Sequence, residues 1–340
     1  MTPFIYTALP TRVIFGRGKI SEAAAEARRL GMKHPLVITT AHQSDSAKQI
    51  VADTSGVLFA GAAMHTPVSV TEQALAIAKA QGCDGTIALG GGSSTGLGKA
   101  IALRTDLPQL VIPTSYAGSE MTNILGETQD GVKTTKRDTK IQPESVIYDP
   151  DFLVTLPPNF AASSGMNAIA HAVEGLYAVD GNPIVSLMAE EGIRALARAL
   201  PTNDYEEALY GAWLCGTVLG SVSMALHHKL CHVLGGSFDL PHAETHTVIL
   251  PHATAYNSNS AEAMAHICCA LGSPCAAQGL YDLAKSLGAK MALKDFGMKE
   301  HDLDRAADIA AASPYPNPRV IERAAIRELL DNAFHGRRPN

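Results

Sequence analysis

Six of the chain's thirteen histidines, His227, His228, His232, His242, His246 and His252, fall between Ser221 and His252. His228 and His232 stand four apart, as do His242 and His246, so on a helix each pair projects from one face. Imidazoles placed this way can ligate a divalent metal, donate hydrogen bonds to a developing anion or move a proton near neutral pH. A lone histidine in an apolar stretch is ordinarily a hydrogen-bonded core residue. Two pairs at helical spacing go beyond packing and mark a catalytic or metal site. Gly235-Gly236 is expected to end the first helix and Pro241 to start the next. Cys231 beside His232 is only a sequence neighbour, and the six scattered cysteines, without a CxxC pair, are expected to be reduced and inert.

A second stretch with chemistry runs from Gly90 to Leu103, GGGSSTGLGKAIAL. An apolar strand, Thr86 to Leu89, enters it and a helix leaves it. Glycines let the backbone approach a ligand closely, and the helix N-terminus offers free N–H groups to a phosphate. The run fits neither the GxGxxG fingerprint nor the Walker spacing, so pyrophosphate binding rests on the strand–turn–helix context. A further strand, Gln109 to Pro113, ends in the hydroxyl-rich turn Thr114-Ser115-Tyr116-Ala117-Gly118-Ser119, placed to line the same crevice.

The elements that must position these residues alternate in the first half. Strands are expected at Arg12 to Gly16, Pro35 to Thr40, Val57 to Phe59, Thr86 to Leu89 and Gln109 to Pro113. Helices lie between them, the first capped by Ser21 and closed by Gly31, others near Ser44 to Ala52 and Ser69 to Gln81. That alternation predicts a parallel, Rossmann-like sheet covered on both faces. Asp130 to Asp138 is a surface hairpin or loop, and Glu144 to Asp149 a last strand. After Pro157-Pro158 helical periodicity takes over, in Met166 to Tyr177, Ile184 to Leu200, Glu206 to His228 and Ile321 to Phe334. The expected organisation is an α/β dinucleotide-binding domain over 1–155 and an all-α domain over 156–340.

Composition sets outer bounds. Hydrophobic residues at 46% against 18% charged give a globular chain with material for a core. A net charge of −6 and no Lys/Arg run argue against a nucleic-acid partner. No uncharged apolar stretch reaches the roughly 18 residues of a membrane span. The first residues lack the basic-then-apolar order of a secretory signal, so a cytoplasmic protein is expected.

The GGGS turn, the IPTSYAGSE segment, the helix carrying GMNAIAH and the paired histidines, kept in this order along nearly the whole chain, resemble the iron-containing alcohol dehydrogenase superfamily. The resemblance implies an N-terminal dinucleotide-binding domain and a helical C-terminal domain, the architecture shared with dehydroquinate synthase, with the active site in the cleft between them. It implies that Gly91, Gly92, Ser93 and Thr114 hold the pyrophosphate and ribose, with Ser94 and Ser119 in the same turns. Ser115 and Tyr116 would line the nicotinamide crevice.

The chain departs from the family at three places. Metal-dependent members carry an Asp and a His four apart in the GMNAIAH helix, both binding the metal. Here the Asp position is Asn167, while His171 is kept and the other two ligand positions fall on His228 and His242. An additional active-site histidine falls on His232. An amide for a carboxylate removes the anionic ligand of an iron or zinc site, although three histidines could still hold zinc. The family's GGGSxxDxxK has Gly96 at its Asp. Thr40 stands where many members place the acid that binds the ribose of NAD, so NADH and NADPH are both expected to serve.

The variants GLGK, PTSYAGSEMT, HHKLCH and PHAETH resemble a branch of the family that reduces a carbon–carbon double bond conjugated to a ketone, in the breakdown of chlorinated and hydroxylated aromatic compounds. That resemblance implies NAD(P)H-dependent reduction of maleylacetate, a small dicarboxylate, to 3-oxoadipate, with no catalytic metal required. His171, His228 and His242 would stabilise the enolate oxygen near Asn167, and His232 or His246 would deliver the proton. Lys229, and more weakly Lys136 and Arg137, are the cations that could meet the substrate carboxylates. A metal-dependent alcohol or aldehyde dehydrogenase that tolerates Asn167 is the alternative, and a catalytically inactive member that senses cofactor is a third. A homodimer is the default assembly.

Overall fold

The computed structural model describes residues 3–312 and 315–340. Residues 8–156 form one compact unit; residues 157–340, together with 3–7, form another.

The first unit is built on six short strands, β1 (Arg12–Phe15), β2 (Leu36–Ile38), β3 (Val57–Phe59), β4 (Thr86–Gly90), β5 (Gln109–Pro113) and β8 (Ser145–Tyr148), in the order β1-β8-β5-β4-β2-β3. Every pairing in this sheet is parallel. Alternate residues of β2 face opposite ways. Val37 packs with α1 (Ala23–Arg29) and α2 (Ser44–Thr54), whereas Leu36 and Ile38 pack with α3 (Val68–Gln81) and α4 (Gly92–Thr105). A sheet buried on both faces needs this continuous apolar run. The chain leaves β2 through α2 towards β3, but leaves β4 through α4 towards β5 on the other side. The two carboxyl-end loops diverge there and open a crevice.

The hairpin or loop expected over Asp130 to Asp138 is the turn and second strand of a longer hairpin, β6 (Ile124–Gln129) against β7 (Val132–Arg137). Asp130 and Gly131 both take positive φ (50° and 77°), the Asp-Gly conformation that a two-residue hairpin turn requires. Ser21 does not cap the first helix. It lies inside a 3-10 turn, Lys19–Glu22, where its hydroxyl donates to the Gly18 carbonyl.

The second unit is helical among its described residues: α5 (Pro158–Leu176), α6 (Pro183–Thr202), α7 (Tyr205–Ser221), α8 (Leu226–Phe238), α9 (His242–Tyr256), α10 (Ala261–Leu271), α11 (Ala276–Ser286), α12 (Asp302–Ala311) and α13 (Arg323–His335). Helices α8, α9, α12 and α13 share one apolar core around Leu230, Val248, Leu303 and Leu330. A Cβ on Gly175 would lie 2.2 Å from a Val218 methyl, so α5 and α7 meet only because residue 175 has none. Among the described residues no single helix is long and apolar enough to cross a membrane.

Two expectations about the histidine segment fail. Glu206 to His228 is not one helix: the chain breaks after Ser221, and α7 and α8 stand at 93°. The backbone N–H and hydroxyl of Ser223, in the break, donate to Asp180. Nor does Gly235-Gly236 end α8, which continues to Phe238 and stops at Asp239 with φ 54°. Two interior glycines cost roughly 1 kcal/mol each against alanine. Burial of Leu230, Val233 and Leu234 along the same helix outweighs that.

Candidate active site

The crevice at the carboxyl ends of β2, β4 and β5 collects all nine residues expected to hold a dinucleotide. Thr40 follows β2, Gly91 to Ser94 follow β4, and Thr114 to Ser119 follow β5. The Thr114 N–H donates to the Gly90 carbonyl at 3.1 Å. The Gln43 amide donates to the Thr114 hydroxyl at 2.8 Å, tying the β2 loop to the β5 loop. A Cβ on Gly91 would sit 2.8 Å from the Ser115 hydroxyl, so a side chain there would push that hydroxyl aside in the crevice. α4 begins at Gly92 without a side-chain cap, leaving its first N–H groups for an anion. Ser94 and Tyr116 are buried rather than lining the surface of the crevice. The arrangement fits a dinucleotide pyrophosphate.

Two residues outside that set shape the crevice. The Lys99 ammonium is fully buried and donates to the carbonyls of Ser119, Thr122 and Ile124 and to the Thr122 hydroxyl, clamping the 119–124 segment onto α4. Burial pushes its pKa down to about 7, with Glu120 pulling the other way. Thr66, at φ 47°, explains the missing aspartate at Gly96: a Cβ there would lie 2.4 Å from the Thr66 hydroxyl.

In the second unit, α5 presents Asn167, His171 and Glu174 at spacings of four and three, hence on one face. Helix α8 supplies His227, His228 and His232, and α9 supplies His242 and His246. Ring centroids are 5.2 Å apart for His171–His228, 5.0 Å for His228–His246, 4.8 Å for His227–His246, 4.2 Å for His242–His246 and 6.2 Å for His228–His232. The five histidines chosen from sequence therefore form one cluster around His228, with His227, against His228 and His246, as a sixth. His171, His227, His228 and His246 are buried, while His232 and His242 are exposed. His252, farther along α9, is buried with its Nε2 unpartnered. Lys229 is half-buried, and its ammonium lies 5.7 Å from the Tyr315 ring centroid. Lys136 and Arg137 lie on β7, in the other unit.

Hydrogen bonding settles two tautomers. The His227 Nε2 lies 3.0 Å from the His246 carbonyl, which only accepts, so Nε2 carries the hydrogen and Nδ1 a lone pair. That Nδ1 lies 3.3 Å from His228 Nδ1, which also lies 2.7 Å from a Glu174 carboxylate oxygen. The His228 hydrogen therefore sits on Nδ1, between two acceptors. His228 Nε2, His171 Nδ1, both ring nitrogens of His246 and the Asn167 carbonyl oxygen are buried without a partner.

The electrostatics keep the four buried histidines neutral. Burial, then the neighbouring imidazoles, hold His171, His228 and His246 well below the usual histidine range. His227 is pushed down to about 4, again by burial first. Burial raises the Glu174 carboxyl, and His227 with the N–H groups of Ala225, His227 and His228 pulls it back.

These donors do not form a carboxylate-containing iron site. Asn167 offers an amide oxygen, and the buried carboxylate of Glu174 is engaged by backbone N–H groups and His228 Nδ1. Nitrogens of His227, His228 and His246 lie within 4.8 Å of one another, but His227 spends both of its own on protein neighbours.

A doubly wound sheet with an anion-accepting turn, joined to a helical unit bearing a histidine cluster, defines a class of nicotinamide-dependent oxidoreductase. Residues 10–150 match the family described as iron-containing alcohol dehydrogenase, and residues 161–334 its C-terminal part. The chain belongs to the iron-containing alcohol dehydrogenase family. It is 53% identical to the maleylacetate reductase of Rhizobium sp. strain MTP-10005, over 100% of both chains, and 52% identical to that of Sphingobium indicum, over 99% of both. The crystal structure of maleylacetate reductase from Agrobacterium tumefaciens superposes with a TM-score of 0.96 at 52% identity, covering 100% of both chains. An iron-containing alcohol dehydrogenase from Corynebacterium glutamicum, 37% identical, superposes with a TM-score of 0.96 over 100% of this chain and 99% of that one.

Proposed function

We propose that this chain reduces the carbon–carbon double bond of maleylacetate with NADH or NADPH, giving 3-oxoadipate, and needs no metal to do so. Asn167 carries the reading: an amide stands where metal-dependent relatives of the resemblance place a carboxylate, one helical turn from His171, whose buried ring is held neutral and whose Nδ1 has no partner.

When bound at the crevice of the first unit, the nicotinamide supplies the hydride for the alkene carbon β to the ketone. The chain's own residues handle the charge that follows. As the ketone oxygen becomes an enolate it needs hydrogen-bond donors fixed beforehand. His246 qualifies on bookkeeping alone. Neither ring nitrogen has a partner, so whichever bears the hydrogen is a buried, unpaired donor. Leaving such a donor unsatisfied costs roughly 1–3 kcal/mol, which a substrate oxygen relieves. His171 and Asn167 add polar atoms from α5, and the His242 ring packs tilted against His246. Exposed His232 exchanges protons with solvent and delivers one to the carbon α to the ketone, which completes the saturation. Lys229 stands over Tyr315 and is assigned to a substrate carboxylate. We further propose a cytoplasmic homodimer.

The test is NADH oxidation with maleylacetate, followed at 340 nm, before and after dialysis against EDTA. Turnover untouched by the chelator supports the reading. No turnover on maleylacetate, with zinc- or iron-restored turnover of simple aldehydes, would replace it with a metal-dependent dehydrogenase using the unpartnered nitrogens of His171, His228 and His246.

A further inference from the structure

Helix α8, which carries three of the clustered histidines, has no side-chain cap of its own. Its first N–H groups must find acceptors. The Leu226 N–H finds the Asn317 amide oxygen at 3.4 Å, and those of Ala225, His227 and His228 all find Glu174, fully buried at the end of α5 and fifty-one positions away from Ala225. One carboxylate oxygen accepts from the Ala225 N–H at 3.0 Å and the His228 N–H at 3.3 Å, and the other from the His227 N–H at 2.8 Å. The same oxygen that takes Ala225 also takes the His228 ring Nδ1–H at 2.7 Å. A negative group at a helix N-terminus is favoured by the dipole as well as by the bonds.

We propose that Glu174 is the positioning residue of the histidine cluster: it caps α8 and pins the His228 ring with its hydrogen on Nδ1, so that Nε2 enters the cluster as an acceptor. No other charged side chain is shared in this way between the α8 backbone and a histidine ring among the described residues. His228 Nε2 is then available to take a hydrogen bond from His246, a water or the substrate, and the ring cannot turn without breaking the bond to Glu174. The functional part of this assignment rests on the reading of the cluster as the reductase site.

The experiment uses ring-15N-histidine protein, with His228 identified by its loss in His228→Asn. In the wild type the His228 couplings should report a hydrogen on Nδ1; a hydrogen on Nε2 overturns the proposal, whatever any variant does. Glu174→Gln keeps the shape and one acceptor but sets an NH2 against backbone N–H groups. In the folded variant His228 should show mixed tautomers. Its kcat with maleylacetate should fall roughly 10–100-fold, the usual cost of removing a group that orients an imidazole, with KM for NADH unchanged. A folded Glu174→Gln with the tautomer retained overturns the proposal, whether or not kcat changes. If the wild type oxidises no NADH with maleylacetate but the tautomer is lost in Glu174→Gln, the positioning stands and the reductase reading falls.

Discussion

Acid should unfold this protein through buried histidines, and His252 isolates the effect outside the proposed chemistry. The residue is 4% exposed, its Nε2 has no partner, and burial alone pushes its pKa from 6.5 down to about 4. Above pH 6.5 the ring is neutral folded or unfolded and contributes nothing pH-dependent. As pH falls below 6.5 the unfolded chain binds a proton that the folded chain refuses, so stability is lost until pH 4. Weighing the two protonation equilibria at pH 5 gives a loss of about 2 kcal/mol, rising to about 3 kcal/mol below pH 4. Raised carboxyls such as Glu120 and Glu174 act the other way, because they take up protons sooner in the folded state. The clean quantity is therefore a difference between proteins. Urea unfolding, followed by circular dichroism at pH 7.5 and pH 5.0, should show His252→Gln losing about 2 kcal/mol less than the wild type between the two. With a slope of about 2 kcal/mol/M, that is a midpoint difference of about 1 M. Equal losses in both proteins, within about 0.5 kcal/mol, would refute the burial argument.

Other perturbations have equally direct outcomes. Gly91→Ala puts a Cβ 2.8 Å from the Ser115 hydroxyl, and should raise KM for NADH about tenfold while leaving the melting temperature nearly unchanged. Gly175→Ala drives a methyl into Val218 between α5 and α7 and should destabilise by roughly 1–3 kcal/mol, read as a lower urea midpoint. Lys229→Met should raise KM for maleylacetate about tenfold with KM for NADH unchanged; an unaltered KM would leave the lysine to its contact with Tyr315 alone.

The first unit was largely legible because its signals are local. Apolar runs between turn residues mark buried strands, and a glycine turn between strand and helix marks the phosphate end. The helical unit was legible in its periodicity but not at its breaks. Periodicity continues across Ser221 to Leu226 because both flanking helices are apolar there, while the break is made by Asp180 and Glu174, far away in sequence. The glycine pair 235–236 misled for the converse reason, since a local weakness was outweighed by burial that only the fold supplies. Glu174 left one trace: a lone carboxylate in the otherwise uncharged GMNAIAHAVEGL, three residues after His171. A charge inside so apolar a helix must be paired if it is buried. The i, i+4 rule selects His228 and leaves out His227, yet neighbouring residues on α8 both reach the cluster.

On the proposed reading Asn167 decides which chemistry the cluster can do, and replacing it tests that reading most severely. Asn167→Asp alters one amide group to a carboxylate at a site 5% exposed, four residues before the neutral, buried His171 on the same helix. An isolated buried carboxylate is costly, so the variant should either take up a proton or recruit a cation. Next to a divalent ion at about 4 Å, one negative charge at an effective dielectric of 20 is worth about 8 kcal/mol before desolvation. Even a third of that raises affinity roughly a hundredfold. The variant should therefore bind zinc in equilibrium dialysis at concentrations where the wild type binds none. It should also lose maleylacetate reduction, because the imidazoles that served as donors would become ligands. Should Asn167→Asp bind no more zinc than the wild type, the free nitrogens of His171 and His228 do not converge on a common point with residue 167. The argument from the missing carboxylate would then fail with it.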